Sequence, residues 1–508
     1  MSRRALPAIV LLVAAVVGLV VVGRDTEATP TPFFAVSGAT WMPSVPNEGS
    51  LTASWFCPGV PASGEEGVGG GVVVSNRDAA PLAGRYSILT VDGVAVEREL
   101  AVEPWSQTRI DVDATLPEPT AFASVVVEIE GGGGLVEQIA SDPEGTSVAP
   151  CSNDTSANWY LAEGFTVDDT VETLVLTNPF DEIVSADLRF ATEERESTPG
   201  AFQGFSVAPR SVRTITIAEL GARDEPVIAV AVEATAGRLV VGRVQEYDGG
   251  GRSGYDVSLA TPELREQWWF ADGERGDGIT ETYSIYNPTE DEVEVSVFFG
   301  GLPTGAGVED LDPILVPPRR VVVFDPYADP TITGPLTADD TDDDELVEFG
   351  DEPVGEIPEG RHATVFSTLA QPSIVVERVL TRTDDDGTST TVVMGAPPRP
   401  DGYVASVWSL AVGPTEPTEE ALVLYNIDQA DALVTVQAVG PAGPSEVPSL
   451  TEIEVGPGEI VTIDLTDPDV LGRELIVTSS SRIFVERSLP RGDGLSGRTG
   501  AFLLPADL

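Results

Sequence analysis

Few side chains in this sequence can move protons, hold metals or attack carbon. His362 is the sole histidine, no lysine occurs, and Cys57 and Cys151 are the only cysteines. A Ser-His-Asp triad or a histidine metal cluster would have to use His362. That residue stands in GRHATVFS, at the start of a strand-like run, and no nucleophile-elbow or HExxH pattern accompanies it. It reads as an exposed or half-buried structural histidine. The lack of lysine excludes Schiff-base chemistry. Glu163 and Asp272 invite comparison with the acid pair of a glycoside hydrolase, which must stand ~5–9.5 Å apart across one cleft. They occupy the same place in two copies of a repeat, and so belong to different domains. Each reads as a turn carboxylate beside a glycine, and no catalytic residue is nominated.

The densest charge is the run Asp339, Asp340, Asp342, Asp343 and Asp344, with Glu345 beyond it. Crowded carboxylates are the ligand type for Ca²⁺, although the glycine of an EF-hand loop is missing. Calcium is therefore the one cofactor this sequence suggests, against a plain solvated acidic loop. In an exported chain, two cysteines point to one disulfide, Cys57–Cys151. It would close a loop of about 95 residues and contribute up to ~4 kcal/mol. Arg-Gly-Asp occurs at 275–277 and 491–493, at different places in the repeat, and reads as coincidence.

The 508 residues carry 83 acidic and 28 basic side chains, a formal charge of −55. Such a field repels DNA, RNA and anionic lipid, which excludes a nucleic-acid partner. Residues 1–4 hold Arg3 and Arg4, and residues 5–23 form an apolar stretch long enough to cross a bilayer. The arginines keep the start cytoplasmic and send the rest outside. An uncleaved anchor is favoured over a signal peptide, because Arg24-Asp25-Thr26-Glu27 follows in place of a small-x-small site. Residues 24–50 read as a proline-bearing stalk.

These residues must be positioned by a repeat. Its openers are Trp55 (SWFCPG), Trp159 (NWYLAEG), Trp268 (QWWFADG) and Trp408 (VWSLAVG). Asn76, Asn178, Asn287 and Asn426 each end a strand-like run at a near-constant distance beyond the opener. Pro104, Pro209, Pro318 and Pro457 follow, at an interval identical in the last three copies and slightly shorter in the first. The closing landmarks are Gln138, Arg243, Arg378 and Arg487, in LVEQ, VVGR, VVER and FVER. Their distance from the prolines is nearly constant except in the third copy, where it almost doubles, so that copy carries an acidic insertion around 330–359.

Alternating apolar residues, many glycines and prolines, and about seven short strands per ~100 residues predict an all-β chain of tandem immunoglobulin-like β-sandwiches. A propeller is the runner-up, but its blades need only ~40–50 residues. The boundaries are 51–152, 153–262, 263–400 and 401–508. One ring of each opener enters the core while its neighbour faces outward. The outward Tyr160 and Trp269 are therefore candidate glycan contacts, against simple packing between domains.

NWYLAEG with TLVLTNP, and QWWFADG with YSIYNP, resemble a repeat of exported actinobacterial envelope proteins, among them a membrane-anchored family catalogued only as a domain of unknown function. The first and fourth openers lack the acid. The resemblance implies location and architecture and no activity. The expected function is a membrane-anchored extracytoplasmic scaffold or adhesive protein, a rigid acidic rod rather than an enzyme, with other envelope proteins as partners. A module binding cell-wall polysaccharide is the alternative, and a glycan-processing enzyme a distant one.

Overall fold

The computed structural model describes residues 42–46, 50–302, 311–327, 357–368, 372–385, 387–398, 404–414, 420–492, 495 and 497–506. The apolar stretch 5–23 and most of the stalk lie outside them. Among the described residues no helix is long and apolar enough to cross a membrane. Residues 41–508 form one compact unit.

Among the described residues the strands make eight sheets, two per repeat, with antiparallel pairing throughout. The first repeat has eight strands: Thr52–Ala62, Gly69–Asn76, Leu82–Thr90, Gly93–Val102, Gln107–Asp111, Thr120–Glu130, Gly134–Asp142 and Gly145–Pro150. In one sheet the order is first, sixth, third, fourth; in the other it is fifth, second, seventh, eighth. The other three repeats reproduce this order, with short extra strands at some edges. Two facing sheets make a sandwich, as the alternation predicts. The seventh strand pairs with the second rather than the sixth, so the likeness to an immunoglobulin domain lies in the two-sheet packing and not in the pairing of the last strands.

Each landmark has one job in all four copies. Trp55, Trp159, Trp268 and Trp408 are at most 1% exposed, and each sits in a different hydrophobic core. Three indole N–H groups donate to equivalent carbonyls, those of Leu239, Ile374 and Ile483, all at 2.9 Å. The asparagines are fully buried pegs. Nδ2 of Asn287 donates to the carbonyls of Asp291, Val316 and Pro317, and Oδ1 accepts the Thr289 N–H at 3.0 Å. Asn76, Asn178 and Asn426 repeat the pattern, so one side chain closes a turn and pins the far strand to it. The left-handed backbone of the unit lies just after the landmark proline. Trp105, Arg210, Arg319 and Gly458 have φ of 52°, 45°, 55° and 69°. Proline followed by a positive φ is the geometry of a type II turn.

The repeats close on one another in a ring, first to second to third to fourth and back to the first, in place of the expected rod. The eighth strands, Gly145–Pro150, Arg252–Leu259, Gly387–Met394 and Arg498–Phe502, meet at the centre, each against the next. Ser147 Oγ donates to Asp256 Oδ1 at 3.0 Å, Val392 N–H to Asp256 Oδ2 at 2.8 Å, and Gly500 N–H to Thr391 Oγ1 at 3.2 Å. Thr146 N–H donates to the Arg491 carbonyl at 2.6 Å, which completes the circuit. Cys57 and Cys151 form a disulfide. It joins the opener strand of the first repeat to the end of that repeat's eighth strand. Replacing Asn287 with Ala strands three buried carbonyls and one N–H, and is expected to destabilise the protein by about 3 kcal/mol in urea denaturation.

Candidate functional site

The described residues singled out for chemistry are all occupied. His362 is fully buried, not exposed, with Nε2 2.9 Å from Glu281 Oε2. The hydroxyls of Tyr283 and Tyr327 donate to the same carboxylate, each at 2.8 Å. Despite its burial, Glu281 is held below the usual range, because His362, Arg378 and Tyr327 stabilise its charge. Glu163 accepts from Arg252 Nη1 at 2.6 Å, and Asp272 from Arg361 Nε at 2.7 Å. Asp339, Asp340, Asp342, Asp343 and Asp344 lie outside the described residues, and among those described no cluster of metal-ligating side chains occurs.

The outward rings point into the next repeat. Tyr160 is 9% exposed and belongs to the core of the third repeat. Trp269 stacks on Phe484 of the fourth, with centroids 5.2 Å apart and planes at 20°. Phe56, at the same register, enters the core of the second repeat. Tyr160 is thereby buried, whereas Trp269 stays half-buried beside its stack on Phe484. In the fourth opener the position holds Ser409.

Beside each plug lies a buried charge seam. Glu377, from the seventh strand of the third repeat, accepts the Ala162 and Glu163 N–H groups of the second opener at 2.7 Å each. Arg243 of the second repeat pairs with it at 2.9 Å, and both side chains are fully buried. Arg243 is held above its usual value against its own desolvation, chiefly by Glu377. Glu486 of the fourth repeat accepts from Ala271 and Asp272 of the third opener at 3.1 Å each and pairs with Arg378. Glu137 of the first repeat accepts from Ala411 and Val412 of the fourth opener at 2.6 and 2.9 Å. There Arg487 pairs with Glu420 of its own repeat at 2.7 Å and also stabilises the Glu137 charge.

The seam between the first opener and the second repeat is neutral at every one of these places. Gly242 stands where the incoming glutamate would be, and Gln138 replaces the arginine. Pro58, with no N–H, replaces the donor alanine. A Cβ on Gly242 would come within 2.7 Å of Pro58. A second exchange accompanies the first. Glu172, Glu281 and Glu420 stand six residues before the asparagine, each in the same repeat as an opener glycine, Gly164, Gly273 or Gly413. A Cβ on Gly273 would meet His362 at 2.6 Å and Glu281 at 2.9 Å, and one on Gly164 would collide with the Glu172 carboxylate. In the first repeat the two are swapped: Val60 replaces the glycine and Gly70 the glutamate, and a Cβ on Gly70 would meet Val60 at 2.8 Å.

The glutamates of the seams escaped the sequence reading, which weighed only the arginine beside them. The joint absence of Glu, Arg and donor N–H from the second and first copies was the available signal. Burial with incomplete pairing lifts several other acids. Glu172, whose oxygens have no hydrogen-bond partner among the described residues, is raised to about 8 by desolvation. Glu474 reaches about 7 and Asp256 about 6, from the same cause.

The seam between the fourth and first repeats, which lacks an aromatic plug, carries a cleft of about 460 Å³. Its lining includes Ser75, Trp105, Gln107, Arg109, Arg473 and Glu474.

Fold and seams together define a chain of cyclically interlocked β-sandwiches. A sequence-family profile described as "Family of unknown function (DUF5719)" matches residues 136–266, from the Glu137 strand to the residue before the third opener strand. No functionally curated protein matches the chain. A solved structure titled "Crystal Structure of Thermotoga maritima 1070" is 14% identical over 21% of this chain and 95% of that one, with a TM-score of 0.19.

Two outcomes are expected. Glu377→Gln leaves Arg243 buried without its counter-charge and is expected to cost about 3–5 kcal/mol in denaturant melts, whereas pairing it with Arg243→Gln recovers part of that loss. The second concerns pH. Glu172, Glu474 and Asp256 bind protons more tightly folded than unfolded, so stability is greatest below their unfolded values and falls as pH rises towards about 6, 7 and 8. Unfolding free energy should drop between pH 5 and pH 8.5, by up to about 1.4 kcal/mol per pH unit for each titrating group, and Glu172→Gln should flatten the upper part of that fall.

Proposed function

We propose that the protein is a non-catalytic scaffold of the cell envelope, held at a membrane by residues 5–23 and presenting four interlocked sandwiches outside it. One observation carries the reading: the ionisable groups that recur from copy to copy are consumed in contacts within the repeats and between them. Glu377, Glu486 and Glu137 each tie one repeat to the opener of another. Glu163 and Asp272 are each locked to an arginine. A chain that invests its recurrent polar groups in holding repeats at fixed relative positions is built for shape and spacing. The apolar start, the flanking arginines and the Cys57–Cys151 pair support an extracytoplasmic place. An excess of carboxylates keeps such a body hydrated and discourages sheet-edge association. Its partners on this reading are other envelope components.

Fractionation of cells making the full chain tests the proposal. The protein is expected in the membrane fraction, resistant to carbonate extraction, cut by protease added outside the cells, with no free thiol. Recovery from the cytosol with two free thiols would sink the reading.

A further inference from the structure

We propose that the cleft between the fourth and first repeats binds a carboxylate-bearing saccharide of the uronic-acid type. The choice of a sugar over a nucleotide rests on the envelope reading above; the site itself rests on the residues that line it.

The first is Trp105. Its backbone position, after the landmark proline, belongs to the seams. Arg210 there pairs with Glu97 of the first repeat at 2.8 Å, Arg319 with Glu196 of the second at 3.2 Å, and the Gly458 carbonyl accepts from Gly301 of the third at 2.9 Å. In the first repeat the place holds a half-buried indole at φ 52°, a conformation unfavourable for a bulky side chain. The ring makes no such tie and lies beside Gly443 at the cleft wall. A half-buried indole at a cleft wall can offer a flat apolar face on which a pyranose stacks.

Two guanidinium groups come next. Arg109 and Arg473 line the same cleft, one from each repeat. In a chain with 83 acids and 28 arginines, most of the described arginines are paired. Neither of these two makes an ion pair among the described residues. Guanidinium groups free to fork onto a carboxylate suit an anionic sugar better than a neutral one.

The floor is already neutralised. Glu474 is buried, its Oε1 2.7 Å from Arg77 Nε, and it accepts the Ser75 hydroxyl. It therefore presents no bare negative charge to an anionic ligand. Gln107 is fixed by donating Nε2 to the Ala411 carbonyl, and its Oε1 remains to accept from a sugar hydroxyl. A volume of about 460 Å³ falls in the range of small-ligand sites, and two to three sugar rings would fill it.

Calorimetry of the purified full chain against tetragalacturonate tests the site, with maltotetraose and ATP as comparators. Binding to tetragalacturonate is expected, weakening as salt is raised, with little heat from the other two. Trp105→Gly puts at this left-handed position the residue that the fourth repeat already uses at its equivalent. It is expected to leave the melting temperature unchanged or raised and to weaken binding by about tenfold or more. Arg473→Gln is expected to erase most of the preference for the acidic over the neutral sugar, and gives a second readout independent of the tryptophan. The proposal is overturned by no heat with tetragalacturonate, by unchanged affinity in Trp105→Gly, by equal affinity for maltotetraose, or by tighter binding of ATP. Binding that survives while cell fractionation places the protein in the cytosol would overturn the envelope reading and leave the site standing.

Discussion

A carboxylate from one repeat, received by two backbone N–H groups and an arginine of its neighbour, is the contact on which the arrangement of the four sandwiches depends. Removing a glutamate and an arginine from water costs several kcal/mol each, and their mutual attraction with the two N–H groups roughly offsets that cost. The gain is therefore specificity more than stability. Glu377 fits only where Ala162, Glu163 and Arg243 converge, and a shift by one residue along the strand would turn the side chain to the opposite sheet face. The neutral seam supports this account from the other side. Where Gly242 brings no carboxylate, the arginine is Gln138 and one donor is Pro58, so no charge is left buried without a partner.

Buried arginines at three of the seams demand carboxylates, and further acids such as Glu172, Asp256 and Glu281 are also buried. The aromatic plugs add what the charges cannot. Phe56, Tyr160 and Trp269 carry each core into the next repeat, so apolar contact runs on through the interfaces that the ion pairs align. At the closing interface Ser409 provides no such ring, and there the wall opens into the cleft of Trp105 and Arg473.

Much of the fold was legible in the sequence because it is written four times. The spacing of Trp, Asn, Pro and Arg marked out a repeating unit and its sandwich architecture, since buried indoles and pegging amides tolerate little variation; the acidic insertion around 330–359 lies largely outside the described residues. The Cys57–Cys151 bond was legible from the count of two. What stayed hidden was everything between units. Tyr160 and Trp269 point outward from their own strands, and only the neighbour's position buries the first and half-buries the second. The left-handed position after the landmark proline has no residue signature, because Trp105, Arg210 and Arg319 adopt a conformation their types do not favour. His362 looked peripheral beside an acidic insertion, yet its imidazole fills the space left by Gly273. The cleft residues belong to no repeated motif. Their meaning comes from two segments that lie in the first and last copies and meet only when the ring closes.

Cyclic closure also bears on how such a gene can change. Every sandwich meets one neighbour through its own opener and another through that neighbour's opener, and the set is complete at four. Unequal recombination that added or deleted one copy would leave a plug without a socket, or force a curvature the central strands do not have. The closed ring thus ties the fold to four copies, and added length fits only where it disturbs no interface. By the spacing of the landmarks, the extra length of the third copy lies between Phe324 and Gly360.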